Sequence, residues 1–291
     1  MASSSAYGWS KNKGDGLGAN RTGPNHQYSE SGSPRAIVQS TDPCYTQYFV
    51  GQQPPTGFRP NSPYIKHICQ QIYDYSDDTL YATMFDANTG IAVYAAYGLP
   101  HDQVPLLGTF PRIQKWIQNP GLDNLRQGNN QMYKNNAQDI QKGHLVPAST
   151  YSFDCIYMVS TFRYTNAVPQ YKSFNEGIWK VYEDRVRLFA ANVCYPAGGD
   201  LYLLTGTSEA VVSALAAAKR PLTYFPYNNP TSGENIVIPN SMWTAGCCIL
   251  RNGGIVGGFA AIGNNVQVNP EMHQKKVAEL QDILAIGIGG V

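Results

Sequence analysis

Charge is scarce in this sequence of 291 residues, where charged side chains make up 14%. Lys and Arg number 21 against 20 Asp and Glu, which gives a formal net charge of +1. This balance excludes a global basic field, so a nucleic-acid partner would have to be held by local charge. No stretch approaches the roughly 18 consecutive apolar residues of a transmembrane helix, so we expect no membrane partner. The composition, with 43% apolar residues, also excludes a highly charged disordered chain.

Cysteine motifs for zinc or dithiol chemistry are missing as well, because the sequence has no C-x-x-C pair and no suitable Cys/His spacing. Its six cysteines are widely spaced. This favours three disulfides in a secreted protein over the alternative of six buried thiols in a cytosolic one. Cys44 and Cys69 are a predicted pair on their proximity in the chain alone. Cys247 and Cys248 would face opposite sides of a strand and therefore bridge to different partners.

The first 40 residues are rich in Ser, Gly, Asn and Pro and have few aliphatic side chains. They predict an extended or flexible N-terminal arm at 1–40, followed by a single domain at 41–291. The N-terminus lacks the apolar segment of a signal peptide. Because the cysteines favour secretion, we expect a mature extracellular chain whose leader has been removed.

The remaining sequence predicts a strand-rich body, with 28 Gly and 19 Pro to form its turns. Apolar segments with strand character lie at 80–85, 91–97, 156–163, 201–205, 236–238, 242–250 and 255–262. Helices are predicted at 113–117, at the Ala-rich 208–218, from Ser173 onward and from Asn269 onward.

Most of the functional information lies between residues 141 and 187. Gln141-Lys142-Gly143-His144 places a histidine beside a glycine and a cation. Ser173 and Glu176 have the spacing of a capping box, so a helix should begin at Ser173. Asn175 then falls in its first turn.

Two charged residues follow on the same predicted helix. Glu183 comes eight residues after Asn175, and Arg187 lies one turn beyond Glu183, close enough to pair with it. Trp179, Tyr182, Val186 and Phe189 share one face and should pack on the sheet.

This ordered set, with Asn166 in the intervening Thr165-Asn166-Ala167-Val168-Pro169, resembles the core of a known nuclease family. The family is the DNA/RNA non-specific endonucleases of the ββα-metal (His-Me finger) superfamily, and the sequence is most similar to their secreted, endonuclease-domain-containing branch. The resemblance covers about residues 44–262. It implies an α+β fold in which helices flank a central antiparallel or mixed β-sheet, with a ββα-metal finger at the active site.

The resemblance also implies catalytic roles. Asn175 would be the direct protein ligand of Mg²⁺, with Mn²⁺ or Ca²⁺ as alternatives, because waters and phosphate oxygens can complete the coordination shell. His144 would be the general base, since an imidazole suits that role at neutral pH. Glu183 would hydrogen-bond a metal-bound water. Lys142 and Arg187 would steady phosphate charge, and Asn166 would orient groups around the metal site.

Three positions depart from the pattern of the family. Lys142 replaces its Arg, which keeps the charge but loses bidentate phosphate geometry. Gln141 replaces an acidic residue, and Gly98 stands where the family often has a further Arg. These changes leave the base His144 and the ligand Asn175 intact but weaken the expected grip on phosphate.

The leading hypothesis is therefore a secreted, Mg²⁺-dependent, sugar-nonspecific endonuclease that cleaves DNA and also RNA to 5′-phosphate ends, without reading base sequence. The alternative is a secreted structural or interaction protein on the same scaffold, with weak or lost catalysis and self-association through the arm. Taken alone, His144 could be a core histidine, and Glu183 with Arg187 a solvated ion pair of little energetic weight.

Overall fold

The computed structural model describes residues 37–58, 62–72, 76–119, 122, 126–134, 136, 139–214, 216–225 and 235–287. All of them belong to one compact unit, Pro34–Val291. Of the predicted arm, residues 1–36 lie outside the described residues, and Ile37–Val38 forms the first strand of a sheet. The division into an arm and a domain, and self-association through the arm, stay predictions.

Fourteen strands and five α-helices lie within the described part of the chain. The strands are β1 Ile37–Val38, β2 Ile65–Ile72, β3 Ser76–Asp86, β4 Ile91–Leu99, β5 Ile140–His144, β6 Ala167–Tyr171, β7 Gly199–Ser208, β8 Ala210–Val212, β9 Ala217–Lys219, β10 Thr223–Phe225, β11 Ile236–Ile238, β12 Ser241–Leu250, β13 Ile255–Asn264 and β14 Met272–Lys275. The helices are α1 Pro43–Thr46, α2 Asn130–Lys134, α3 Cys155–Ser160, α4 Lys180–Phe189 and α5 Val277–Gly287, and π-helical turns at Phe174–Trp179 and Ala190–Cys194 flank α4.

An eight-stranded antiparallel sheet with the order β1-β2-β3-β4-β7-β12-β13-β14 forms the centre of the molecule. It is covered on both faces, as β4 shows: Ala95 and Tyr97 point into one apolar core, while Tyr94 and Ala96 point into another. We call these the finger face and the rear face. The finger face carries α3 and α4, and the rear face carries α1, α5 and the hairpin β8–β9. The predicted α+β class with flanking helices is confirmed.

Burial on both faces explains which strand predictions succeed. The apolar segments within β3, β4, β7, β12 and β13 are nearly continuous, as expected for strands that contact a core on each side. The apolar β11 lies outside this sheet, where it pairs with β10 and is buried in a smaller core. The predicted helical face after Ser173 is also confirmed, because Trp179 and Val186 lie in the core of the finger face and Tyr182 and Phe189 pack against it.

Three local predictions are wrong, and a fourth has the wrong start. Residues 156–163 begin as helix α3, because the Asp154 side chain accepts hydrogen bonds from the backbone N–H groups of Ile156 (2.7 Å) and Tyr157 (3.1 Å). The Ala-rich 208–218 forms β8 and β9, which pack on the rear face. Residues 113–117 are not helical, and Ile117 forms an isolated β-bridge with Arg163. The predicted C-terminal helix is present but starts at Val277, after β14 has paired with β13.

The cysteines form two disulfides, where the sequence suggested three. Cys44–Cys69 is confirmed, and Cys194 bonds Cys248. Cys155 and Cys247 are free. Alternation along β12 places Cys248 on the finger face and Cys247 on the opposite one, whereas α3, which begins at Cys155, packs on the finger face. The sheet therefore separates the two thiols. No helix among the described residues is long and apolar enough to span a membrane.

Candidate active site

A strand–strand–helix finger on the finger face carries the predicted site. β5 and β6 pair antiparallel, with His144 opposite Ala167, and β6 leads through the π-helical turn into α4. His144 lies at the end of β5, Asn175 in the turn, and Glu183 with Arg187 on α4. These four side chains line a single cleft together with Lys142 and Gln141. The finger that the resemblance implied is thus present.

Gly143 allows the two strands of the finger to pack closely. A Cβ atom at this position would come within 2.1 Å of the Gln170 side chain on β6. Any larger residue would displace Gln170 or the strand, so the glycine beside His144 has a steric reason.

His144 is buried, with 7% of its surface exposed. Its ring lies 4.5 Å from that of Trp116 and meets Phe162 at a right angle, with 4.9 Å between ring centroids. Burial, and secondarily the charge of Arg112, holds the pKa of His144 well below its usual range. Its Nε2 atom is buried and has no hydrogen-bond partner among the described residues. The imidazole is therefore neutral at physiological pH.

Asn166 is the one predicted site residue that does not line the cleft. It is fully buried. Its Oδ1 accepts a hydrogen bond from the Val146 N–H at 2.9 Å, while Nδ2 donates to the carbonyls of Val146 (3.1 Å) and Thr161 (2.8 Å). These bonds fix the backbone just after His144, so Asn166 acts on the site through the chain that it holds.

Asn175 is half-buried and makes one side-chain hydrogen bond among the described residues. Its Nδ2 donates to Oε1 of Gln141 at 2.7 Å, and Gln141 in turn donates from Nε2 to Oε1 of Glu176 at 2.5 Å. The predicted capping box is wrong, because Ser173 donates to the carbonyl of Gln267 at 2.7 Å and Glu176 is bound to Gln141. The Oδ1 atom of Asn175 accepts no bond in this part of the structure.

Glu183 is half-buried beside the cleft, and burial raises its pKa to about 7 against the opposing charges of Arg187 and Arg112. Arg187 forms its ion pair with Asp184, not with Glu183 as the spacing suggested. Its Nη1 also donates to Ser149 Oγ at 2.6 Å. The guanidinium is thereby held at the wall of the cleft between α4 and the segment after His144.

Lys142 projects into an aromatic cage. Its Nζ lies 5.7–5.9 Å from the ring centroids of Trp116, Tyr133 and Tyr164 and donates to Asn130 Oδ1 at 3.1 Å. Burial lowers the pKa of Lys142, and the electron-rich ring faces favour its charged form. The cage therefore holds the ammonium group of Lys142 at a fixed place in the cleft that His144 also lines.

Sequence reasoning missed three further cations that line the cleft, Arg112, Lys134 and Lys180. Arg112 is exposed, with its guanidinium 5.5 Å from the centre of the Phe162 ring, and forms no ion pair with any described residue. It lies in a segment without a motif, next to a wrongly predicted helix. Only the tertiary structure brings it near His144.

The described residues contain no group of three or more His, Cys, Asp or Glu side chains that could hold a metal ion. A cation in this cleft would therefore rely on the free amide oxygen of Asn175, with water and substrate phosphate completing its shell. Mg²⁺ suits such a site, because it keeps most of its waters and accepts neutral oxygen ligands. The donor set thus fits a hydrated divalent ion that binds with its substrate.

A family model, a human protein and a solved structure match this chain. The family model described as DNA/RNA non-specific endonuclease matches residues 63–283. The chain is 27% identical over 233 residues to the human Endonuclease domain-containing 1 protein, which covers 73% of this chain but only 40% of that protein. A chain in the crystal structure of the EndoG/EndoGI complex is 14% identical and covers 70% of this chain and 80% of its own length, with a TM-score of 0.56. That last likeness concerns the fold.

Proposed function

The chain belongs to the DNA/RNA non-specific endonuclease family, and from this premise we propose that it hydrolyses phosphodiester bonds of DNA and RNA with the help of a divalent cation. The observation that carries the proposal is the convergence of His144, Asn175, Glu183 and Arg187 on one cleft. They come from a strand, a turn and a helix that span some 40 residues of sequence, so the cleft is more than a local motif.

His144 would act as the general base. Because burial keeps its imidazole neutral and the side chain lines the cleft, a ring nitrogen of His144 could accept a proton from an attacking water. Asn166 would support this step by holding the backbone after His144 in place.

Charge in the cleft would bind the phosphate. Lys142 is held in its cage, Arg187 is held by Asp184 and Ser149, and Arg112 is free to contact an incoming phosphate. Asn175 would hold the cation, and Glu183 would hydrogen-bond a water molecule of its coordination shell. When bound, Mg²⁺, or Mn²⁺ or Ca²⁺ in its place, would stabilise the charge that develops on the phosphate and the leaving oxygen. Contacts to phosphate do not distinguish one base from another, so cleavage would be independent of sequence.

Degradation of plasmid DNA and of RNA tests this proposal. The full chain is purified in several forms at matched concentration: wild type, His144→Ala, Asn175→Ala, Lys142→Ala and His273→Ala. We expect the His144 variant to lose about 10²–10⁴-fold in rate, as for a general base. The Asn175 variant and wild type in EDTA should be inactive. His273, on β14 outside the cleft, is the matched control and should leave the rate unchanged.

Full activity of the His144 variant, or of wild type in EDTA, would refute the proposed mechanism. A wild type that cleaves neither DNA nor RNA with Mg²⁺, Mn²⁺ or Ca²⁺ would instead favour the alternative, an interaction protein on the same scaffold.

The two disulfides support a location in an oxidising, extracellular compartment.

A further inference from the structure

Gln141 links the first strand of the finger to the turn that carries Asn175. Its side-chain oxygen accepts from Asn175 Nδ2 at 2.7 Å, and its side-chain nitrogen donates to Glu176 Oε1 at 2.5 Å. Both ends of the Gln141 amide are therefore used, on two consecutive residues of the π-helical turn Phe174–Trp179.

This bond decides which end of the Asn175 amide faces the cleft. A primary amide has one end that donates and one that accepts. Since Nδ2 of Asn175 is directed at Gln141, its Oδ1 atom is at the other end, turned away from Gln141 and free of hydrogen bonds to described residues. An oxygen presented in this way is the group that a hard divalent cation binds.

The chemistry of the bridge requires an amide at position 141. A carboxylate there could accept from Asn175 but could not donate to Glu176. It would also place two negative charges at hydrogen-bond distance, which is unfavourable. Gln141 and Glu176 therefore match each other, and the departure from the acidic residue of the family is compensated within this chain.

We propose that Gln141 is a positioning residue, which acts through Asn175 to present its oxygen to a divalent cation, with Glu176 as the second anchor of the bridge. The inference rests on the proposed function, because it assumes that Asn175 holds the ion. It predicts that Gln141 governs metal affinity, although it makes no contact with the metal itself.

The EPR signal of free Mn²⁺ is lost when the ion binds, so it measures the binding of Mn²⁺ to the full chain. This readout is independent of catalysis. Gln141→Met keeps side-chain volume and charge but removes both hydrogen bonds. We expect Mn²⁺ affinity to fall about 10- to 100-fold, as when groups that orient a metal ligand are removed. Gln274→Met changes an exposed glutamine on β14 and should leave the affinity unchanged.

A double-mutant cycle distinguishes positioning from a general structural effect. If Gln141 acts by orienting the Asn175 amide, the Gln141→Met change should have no further effect on Mn²⁺ affinity in an Asn175→Asp background, where either carboxylate oxygen can bind the ion. Equal effects in both backgrounds would overturn the proposal, and so would wild-type affinity in the Gln141 variant. Gln141→Asn, which shortens the reach by one methylene, provides the same test if the Met variant does not fold.

The outcome for Asn175→Ala alone separates the two levels of the argument. Wild-type Mn²⁺ affinity in this variant would refute the metal site of the proposed function. Lost affinity there, together with retained affinity in Gln141→Met, would refute only the positioning role of Gln141.

Discussion

Glu183 is the carboxyl whose acidity the fold of the cleft changes most clearly. Burial raises its pKa from 4.5 to about 7, although Arg187 and Arg112 oppose the change. The folded protein therefore keeps a proton on Glu183 between pH 4.5 and about 7 that the unfolded chain has released. Stability accordingly falls as the pH rises through this window and stays low above it.

Glu183→Gln should remove this loss of stability. In EDTA at pH 8 we expect the free energy of unfolding to rise by on the order of 1–3 kcal/mol, since each unit of pKa corresponds to 1.36 kcal/mol. At pH 4.5 the change should be small, because Glu183 is then protonated in the folded state and still half protonated in the unfolded chain. Denaturant titrations at the two pH values check this, with Asp282→Asn, an exposed carboxyl on α5, as the control. An equal effect of Glu183→Gln at both pH values would contradict the raised pKa.

Arg112 is a cation whose contribution can be separated from that of the motif. It has no ion-pair partner among the described residues, lines the cleft, and is near enough to His144 to lower the pKa of that imidazole. The family often has an Arg where this chain has Gly98, so Arg112 is a candidate for a replacement from another segment.

Arg112→Ala should lower kcat/KM on DNA by about 10- to 100-fold, the loss expected for a charge-assisted hydrogen bond of roughly 1.5–3 kcal/mol. Lys115→Ala removes an exposed charge from the same segment that does not line the cleft, and it should change kcat/KM little. Steady-state cleavage of a short duplex measures both. Similar losses in the two variants would indicate a diffuse field rather than a phosphate contact.

At the scale of elements, sequence prediction succeeded where one kind of interaction dominates. The central strands are apolar on both faces, and Trp179 and Val186 follow the helical period, so burial alone defines them. Sequence prediction failed where a single side chain determines the local structure. Asp154 starts a helix in a segment that has strand composition, and Glu176 binds Gln141 instead of capping its own helix.

The predictions about the site divide in the same way. The spacing of His144, Asn175 and Glu183 is set by the chain order of the finger, and could be predicted. The aromatic cage of Lys142, the position of Asn166 behind the cleft and the presence of Arg112 depend on segments distant in sequence. No local pattern specifies such contacts.

The disulfide Cys194–Cys248 ties the end of the finger helix to strand β12 of the central sheet. Alkylation of the denatured chain without reductant should modify two thiols, those of Cys155 and Cys247, and six after reduction. Reduction should also destabilise the domain, because the 54-residue separation of this pair corresponds to about 4 kcal/mol of loop entropy. Intact-mass measurement counts the thiols. Six reactive thiols without reductant would contradict both the pairing and the proposed extracellular location.

On the scale of the whole molecule, a net charge of +1 conceals an uneven distribution. The cleft is lined by five cations and by three carboxyls, one of which has its pKa raised to about 7. The cations are Arg112, Lys134, Lys142, Lys180 and Arg187. The local charge that the sequence required of any nucleic-acid partner is therefore supplied by folding, at the place where phosphate would bind.

This local field predicts a modest but definite dependence of DNA binding on salt. For His144→Ala in EDTA, where no cleavage occurs, the logarithm of the association constant should fall linearly with the logarithm of salt concentration. Its slope reports the number of phosphates neutralised and should lie between about −2 and −5, near −0.9 for each phosphate contact.

Adding Lys134→Ala to this variant should make the salt dependence less steep by about 1. Arg251→Ala, in the turn between β12 and β13 and outside the cleft, changes the net charge equally but should leave the slope unaltered. Fluorescence anisotropy of a labelled duplex measures all three slopes. If both added substitutions changed the slope alike, DNA would respond to the net charge of the molecule and not to the cleft.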